Sequence, residues 1–338
     1  MMKNRLSFQS ILLLLAVLGF GSIPIITTDQ YLLHAATMVL LYAYLASAWN
    51  IIGGFAGQLA LGHAAYFGIG AYTSTLLFLQ WQISPWIGLL PAGLAAALIG
   101  FVLGYPSFKV RGPYFALTTI AFAGIFQIWV MDTETLFGPP IRGARGLMVP
   151  LKGNEPAMFQ FMDKAPYYWI ILIGLIILLY ATHRLRKARA GYYMLAVRGD
   201  EDAAAATGIS ILRTKLLANT VSAFFTGLAG VFYAQLILFV DPARVLGIDL
   251  SVEIALLGII GGRGTVWGPL LGAFLLRPIS EIIQAYLGGS YLGVHLSVYG
   301  LILMVAILYM PQGIYDLLVR GWSRIQYPRA RKEEGNRG

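Results

Sequence analysis

Successive runs of roughly 20 apolar residues, parted by short polar breaks, constrain this chain more than any other feature. Crossings are expected at 11–27, 31–52, 64–79, 84–104, 114–131, 166–182, 214–239, 250–261, 267–287 and 291–310. Backbone in lipid has no water to bond, so such runs fold as helices. The segment 250–261 is short for a full crossing, which leaves spanning and re-entry both open. Only 12% of the 338 residues are charged, against roughly 25% in soluble domains, which excludes a large aqueous domain. The fold class is therefore all-α: a polytopic transmembrane helical bundle of about ten segments with Gly-broken helices. Lys3 and Arg5 precede Ile11–Phe20 like the start of a secretory signal. No clean small-x-small cleavage site follows, so the segment is read as an uncleaved first span.

Charge supplies the orientation. With both termini placed in the cytoplasm, the inner segments hold 18 of the 24 Lys and Arg. The outer segments hold Arg142, Arg145, Lys152, Lys164 and Arg244, together with seven acids from Asp29 to Asp249. That bias is the positive-inside pattern, and it accounts for a pI near 9.6 without nucleic acid. Residues 1–320 read as a single membrane domain, with an outer loop at 132–165 and an inner loop at 184–213. Residues 321–338 read as a basic, mobile cytoplasmic tail. The outer loop is rich in proline and long enough to act as a lid or a docking surface.

The inner loop carries the most specific local signal. In Arg198-Gly-Asp-Glu-Asp-Ala-Ala-Ala-Ala-Thr-Gly208, Asp200 is a good N-cap. Glu201 and Asp202 suit the positive end of a helix, and Ala203 and Ala204 open the run that propagates it. Gly208 can take the left-handed conformation that ends it. A helix this short is marginal in water and needs docking to persist. It reads either as a handle that transmits motion from a partner or as an ordinary loop helix.

Two glycine breaks each lie at a cytoplasmic end of a span and lead into another: Gly53, Gly54 and Gly57 at one, Gly261, Gly262 and Gly264 at the other. Each frees backbone groups that protein or a wet cavity must satisfy. Gly264, Gly268 and Gly272 are expected on one helical face; so are Ala60, Ala64 and Gly68, and Ser222, Thr226, Gly230 and Ala234. Polar residues at membrane depth include Asn50, Gln58, His63, Thr118, Thr119, Gln127, Asn219, Glu253, Arg277 and Glu281. Intramembrane charge is a functional candidate by default. Arg277 and Glu281, four apart on a helix, can neutralise each other. Glu253 has no partner nearby in sequence and sits close enough to a span end to snorkel. The candidate pathway set is Gly53, Gly54, Gly57, Gln58, His63, Thr118, Thr119, Glu253, Gly261, Gly262 and Gly264. Each also has a plain packing alternative.

Cysteine is absent and the four His are scattered, so metal ligation is not expected. There is no P-loop, and no catalytic constellation stands out, so the chain is not read as an enzyme.

The inner loop is similar to the Glu-Ala-Ala-x3-Gly motif of ABC importer permeases, here Asp202-Ala203-Ala204-x3-Gly208. More closely, the chain resembles the branched-chain amino acid permease family, in its M-type subunit. Gly57 through Tyr72, Arg111 through Thr119, Gly191 through Gly230 and Ser251 through Ala273 carry the resemblance in order. In the first stretch Ala60 stands where Ser is usual. The outer loop departs from the family pattern, with Ile141-Arg142 in place of Thr-Gly before Gly143. The resemblance implies a bacterial inner-membrane permease paired with a second homologous permease, two cytoplasmic ATPases and an extracytoplasmic binding protein. ATP and Mg would then sit on the partner ATPases, with no cofactor on this chain. Asp200, Glu201, Asp202, Ala203, Ala204 and Gly208 would couple it to them. The cargo would be a branched-chain or related small amino acid, with urea or short amides as the alternative. A self-sufficient secondary transporter is the rival from another class.

Overall fold

The structure, a computed structural model, describes residues 27–110, 112–135, 141 and 143–287, with isolated positions at 24, 300, 301, 304, 313–317 and 319. The expected spans 11–27 and 291–310, the basic tail, Arg111 and Arg142 lie outside or largely outside these residues. Eight long helices are described: α1 (Gln30–Asn50), α2 (His63–Trp81), α3 (Pro85–Ser107), α4 (Pro113–Asp132), α5 (Ala165–Lys187), α8 (Ile211–Ile237), α10 (Ile248–Gly262) and α11 (Gly268–Leu287). Between them lie α6 (Arg189–Gly199), α7 (Glu201–Ala206) and α9 (Pro242–Val245). Six helical segments, starting at Gln30, Pro85, Pro113, Ala165, Ile211 and Pro242, are long and apolar enough to cross a membrane. The shortness expected of 250–261 is real: α10 has 15 residues, about 22 Å of rod. The turn α9 extends it to the 21-residue segment Pro242–Gly262.

Helix α1 is the centre of the bundle. From Val39 onward every residue but the half-buried Tyr42 is buried, as expected of a helix apolar all round. It continues through a single π turn, Ile51–Phe55, that is also fully buried. Around it the helices form two groups. Helices α2, α3 and α8 pack together, while α10 and α11 pack with each other and with α1, against which α5 also rests. Lipid offers no hydrophobic drive between helices, so close approach at small residues does the work. A methyl at Gly70 would lie 2.0 Å from the carbonyl oxygen of Gly227, and one at Gly230 would lie 2.0 Å from that of Phe67. The small face expected on α8 is thus a packing face, with Thr226, Gly230 and Ala234 buried.

The other two expected faces need correction. Helices α2 and α11 start at His63 and Gly268, so Ala60 and Gly264 lie in loops rather than on helical faces. The backbone explains this: Gly57 takes φ of +72° beyond the π turn, and Gly262 and Gly264 take +123° and +80° beyond α10, so neither helical path runs on into the next helix.

The outer loop is fastened down. Its Leu147–Met148 pairs antiparallel with Phe239–Val240 just beyond α8, a two-stranded ribbon not anticipated from the sequence. Phe159 stacks on Trp86 at 4.2 Å, and Gln160 closes the loop by accepting from Lys152 N and donating to Pro150 O. Burial holds the Lys164 amine below its ordinary pKa, and its Nζ reaches Leu236 O at 3.4 Å.

Substituting Gly230→Val should destabilise the protein by about 1–3 kcal/mol or more, as overpacking does. Gly124→Ala, where a methyl meets nothing within 4 Å, should not. Thermal melting of the detergent-solubilised protein compares the two.

Candidate functional site

The inner loop folds as its residues dictate. Asp200 leaves the helical region, with φ −158° and ψ 122°, and its side chain accepts from Ala203 N at 2.8 Å. Helix α7 runs from Glu201 to Ala206, and Gly208 follows at φ +84°. Ala204 is buried, while Asp202, Ala203, Ala205, Ala206 and Gly208 are exposed. The short helix therefore offers a nearly bare face of small side chains. The helix α6 that precedes it was not expected. Its Tyr192 and Tyr193 are also exposed.

One edge of α7 is bonded into the bundle. Glu201 Oε1 lies 2.6 Å from Nζ of Lys215, a lysine only 1% exposed near the start of α8. A buried ammonium needs such a partner. The same oxygen accepts from Gln58 Nε2 at 3.3 Å. One turn earlier, Arg198 Nη1 donates to Gly54 O at 2.8 Å. Arg198 is partly desolvated and flanked by Arg186 and Arg263; burial first, then these charges, lower its pKa from the ordinary value. A guanidinium stays charged even so.

The structure brings the two glycine breaks together. Asn50, at the end of α1, donates from Nδ2 to Thr265 O and accepts at Oδ1 from Gly264 N, both at 2.8 Å. A methyl on Gly54 would meet Asn50 Oδ1 at 1.8 Å and Gly264 N at 2.5 Å. Gly53 packs against the Trp49 ring, and both glycines remain helical, so the first break occurs at Gly57. Gly261 lies against the backbone of Gly268, and Gly262, at φ +123°, ends α10.

Residues 57–62 then run without regular structure to His63. Their polar groups find partners one by one. Trp49 Nε1 donates to Ala60 O at 2.7 Å, and Leu61 N donates to Thr119 Oγ1 at 3.0 Å. Just inside α2, Ala64 N donates to Ser251 Oγ at 2.8 Å. His63 is fully buried with Nε2 2.8 Å from Ser222 Oγ. Ser222 spends its proton on Ala48 O at 2.7 Å, so His63 Nε2 is the donor to Ser222. Thr118 stays apart, bonded back to Tyr114 O on its own helix. Asn219 joins α8 to α2 and α3 through Tyr66 and Gly100 O.

Glu253 finds its partner on another helix: Arg277, 24 residues on, at 2.5 Å. The expected Arg277–Glu281 pair is also formed, at 2.8 Å. The Tyr42 ring covers the guanidinium at 3.8 Å, so one arginine pins α1, α10 and α11. Glu253 thus stands apart from the cluster at the glycine breaks. Among the described residues no group of His, Cys, Asp or Glu is arranged to hold a metal.

Sequence reasoning singled out neither Arg198 nor Lys215 from the other basic residues of the loop. No local pattern marks them, because their partners lie 144 and 14 positions away. Trp49, Ser222 and Ser251 were missed as hydrogen-bonding groups for the same reason.

Long apolar helices folded round an internally bonded break define a multi-pass membrane protein. The chain belongs to the family described as branched-chain amino acid transport system / permease component, which matches residues 31–310. It is 29% identical over 300 residues to the high-affinity branched-chain amino acid transport system permease protein LivM of Escherichia coli (strain K12), covering 83% of this chain and 69% of that one. The corresponding LivH of Salmonella typhimurium is 23% identical over 306 residues, 84% of this chain and 94% of its own length. The autoinducer 2 import system permease protein LsrC of Klebsiella pneumoniae is 28% identical over 198 residues, 57% of this chain and 54% of its own. No solved structure matches the chain.

Replacing Asn50 with Ala would strand Gly264 N in the interior, and should cost about 1–3 kcal/mol for that group alone. Asn50→Asp keeps the acceptor for Gly264 N but sets a buried carboxylate against Thr265 O, and should cost at least as much as Ala. Chemical or thermal unfolding of the purified chain orders the three proteins.

Proposed function

We propose that this chain is a permease subunit of an ATP-driven importer in a bacterial cytoplasmic membrane. It pairs with a second, homologous permease and two cytoplasmic ATPases. It receives a branched-chain or related small amino acid from an extracytoplasmic binding protein. The chain performs no chemistry of its own; ATP and Mg belong to the ATPases. Nucleotide and binding protein bias the populations of inward-open and outward-open states.

The observation that carries the reading is the capped, small-faced helix α7 bonded through Glu201 to the break at Gln58. Asp200, Glu201, Asp202, Ala203, Ala204 and Gly208 form the coupling element on this reading. Gly53, Gly54, Gly57, Gln58, His63, Thr119, Gly261, Gly262 and Gly264 surround the break that moves. Thr118, on a different face of α4, has less support as a pathway residue. The names LivM and LivH support the amino acid assignment, while LsrC shows that similar permeases import other solutes. The secondary-transporter reading needs free carboxylates in the membrane for ion coupling. Glu253 and Glu281 are both bonded to Arg277, which disfavours it.

Reconstituted with the second permease, the ATPases and the binding protein, the chain should accumulate leucine-like amino acids in liposomes only when ATP is supplied on the cytoplasmic face. Accumulation by the chain alone on an ion gradient would reverse the conclusion. Gly208→Val forces a β-branched residue to φ +84°, where strain is about 1–3 kcal/mol. A methyl there meets nothing within 4 Å, so folding should survive. Uptake should fall about tenfold, the equivalent of 1.4 kcal/mol, while ATP hydrolysis continues. Parallel assays of uptake and phosphate release check this.

A further inference from the structure

The polar contacts of the inner loop fall on both sides of one residue. Arg198 bonds Gly54 O, three residues before Gly57, and Glu201 bonds the side chain of Gln58, directly after it. Gly57 has φ +72°, and a methyl there would lie 2.8 Å from Arg198 Cγ, so the arginine stem runs along the glycine. Its guanidinium continues to Gly264: a methyl there would meet Nη1 at 1.7 Å. Arg198 therefore fills the space between Gly57 and Gly264, the left-handed glycines of the two breaks. Beyond Gly57 the chain is irregular to Gly62 and bonds Trp49, Thr119 and, through Ala64, Ser251.

We infer that Arg198 and Glu201 are positioning residues that hold the chain on either side of Gly57, so that displacement of the inner loop turns the backbone at Gly57 and moves residues 57–62. The inference rests on the permease reading above and adds to it the route by which the loop acts. Glycine suits the pivot because its left-handed and right-handed conformations are close in energy. Glu201 keeps its ion pair with Lys215, so the loop remains anchored to α8 while the break turns. The pull is delivered to two groups of helices at once: to α8 through Lys215 and to the end of α1 through Gly54.

The test uses the complete importer. Arg198→Met removes one hold and Arg198→Lys keeps a charged donor. Gln58→Leu removes the other hold without touching Glu201–Lys215. Solute moved per ATP hydrolysed is measured in liposomes, with melting temperature measured beside it. Loss of a charge-assisted hydrogen bond from one of two states should lower the ratio for Arg198→Met about tenfold. Arg198→Lys should recover most of it, and Gln58→Leu should lower it about threefold, in line with a neutral donor and a longer bond. The inference is overturned if Met and Leu variants that assemble keep the wild-type ratio, or if Met and Lys are equally impaired. Should Arg198→Met not assemble, Gln58→Leu decides alone by the same ratio. A wild-type complex that does not couple ATP to uptake would instead refute the permease reading.

Discussion

A buried backbone that leaves the helix must find new partners for the polar groups it frees. This requirement governs the structure around Gly57 and Gly264. A buried group left unpaired costs about 1–3 kcal/mol or more. Asn50 answers it for the second break with one amide, donating to Thr265 O and accepting from Gly264 N. For the first, Trp49, Thr119 and Ser251 each supply a single bond from a different helix. The break is thus a junction where α1, α4 and α10 meet, and its geometry is set by them.

The two helix groups are held internally by a different force. Within them, glycines and alanines bring backbones together, as at Gly70 with Gly227 and Gly261 with Gly268. Between them, polar contacts operate: Ser222 with Ala48, and Ala64 with Ser251. Dispersion contacts over a long face give up a little energy for each small slide. A hydrogen bond is instead made or lost over about an ångström. Rigid groups joined by a few switchable bonds are the arrangement from which discrete alternate states arise.

Local signals carried through from sequence to structure. The Asp200 cap, the alanine run and the Gly208 stop need only residues within one turn of each other, and they formed as read. The apolar runs likewise placed α1 through α5, α8, α10 and α11 to within a few residues at most boundaries. Long-range pairing was not legible. Nothing near Glu253 in the chain points to Arg277 on the neighbouring helix, and nothing near Arg198 points to Gly54. The glycine spacing misled for a physical reason. Gly264 and Ala60 fit a helical period, but positive φ at Gly57, Gly262 and Gly264 keeps residues 57–62 and 263–267 out of the helices where that period applies. Gly53 and Gly54 show the converse, since they remain in a π turn because Trp49 and Asn50 need their bare faces.

The contacts that hold α1 differ in strength along its length. At depth, Arg277 joins Glu253 and Glu281 beneath the ring of Tyr42. Separating a buried charge from its partner costs about 3–5 kcal/mol, so α1, α10 and α11 resist parting there. At the basic end, Arg198 holds Gly54 O by a single bond, and Gln58 reaches Glu201 at 3.3 Å. Exchanging such contacts for others costs about 1–3 kcal/mol each, within the range that partner binding can bias. On the proposed reading, a load applied to α7 yields first at Gly57, while the cluster round Arg277 stays closed.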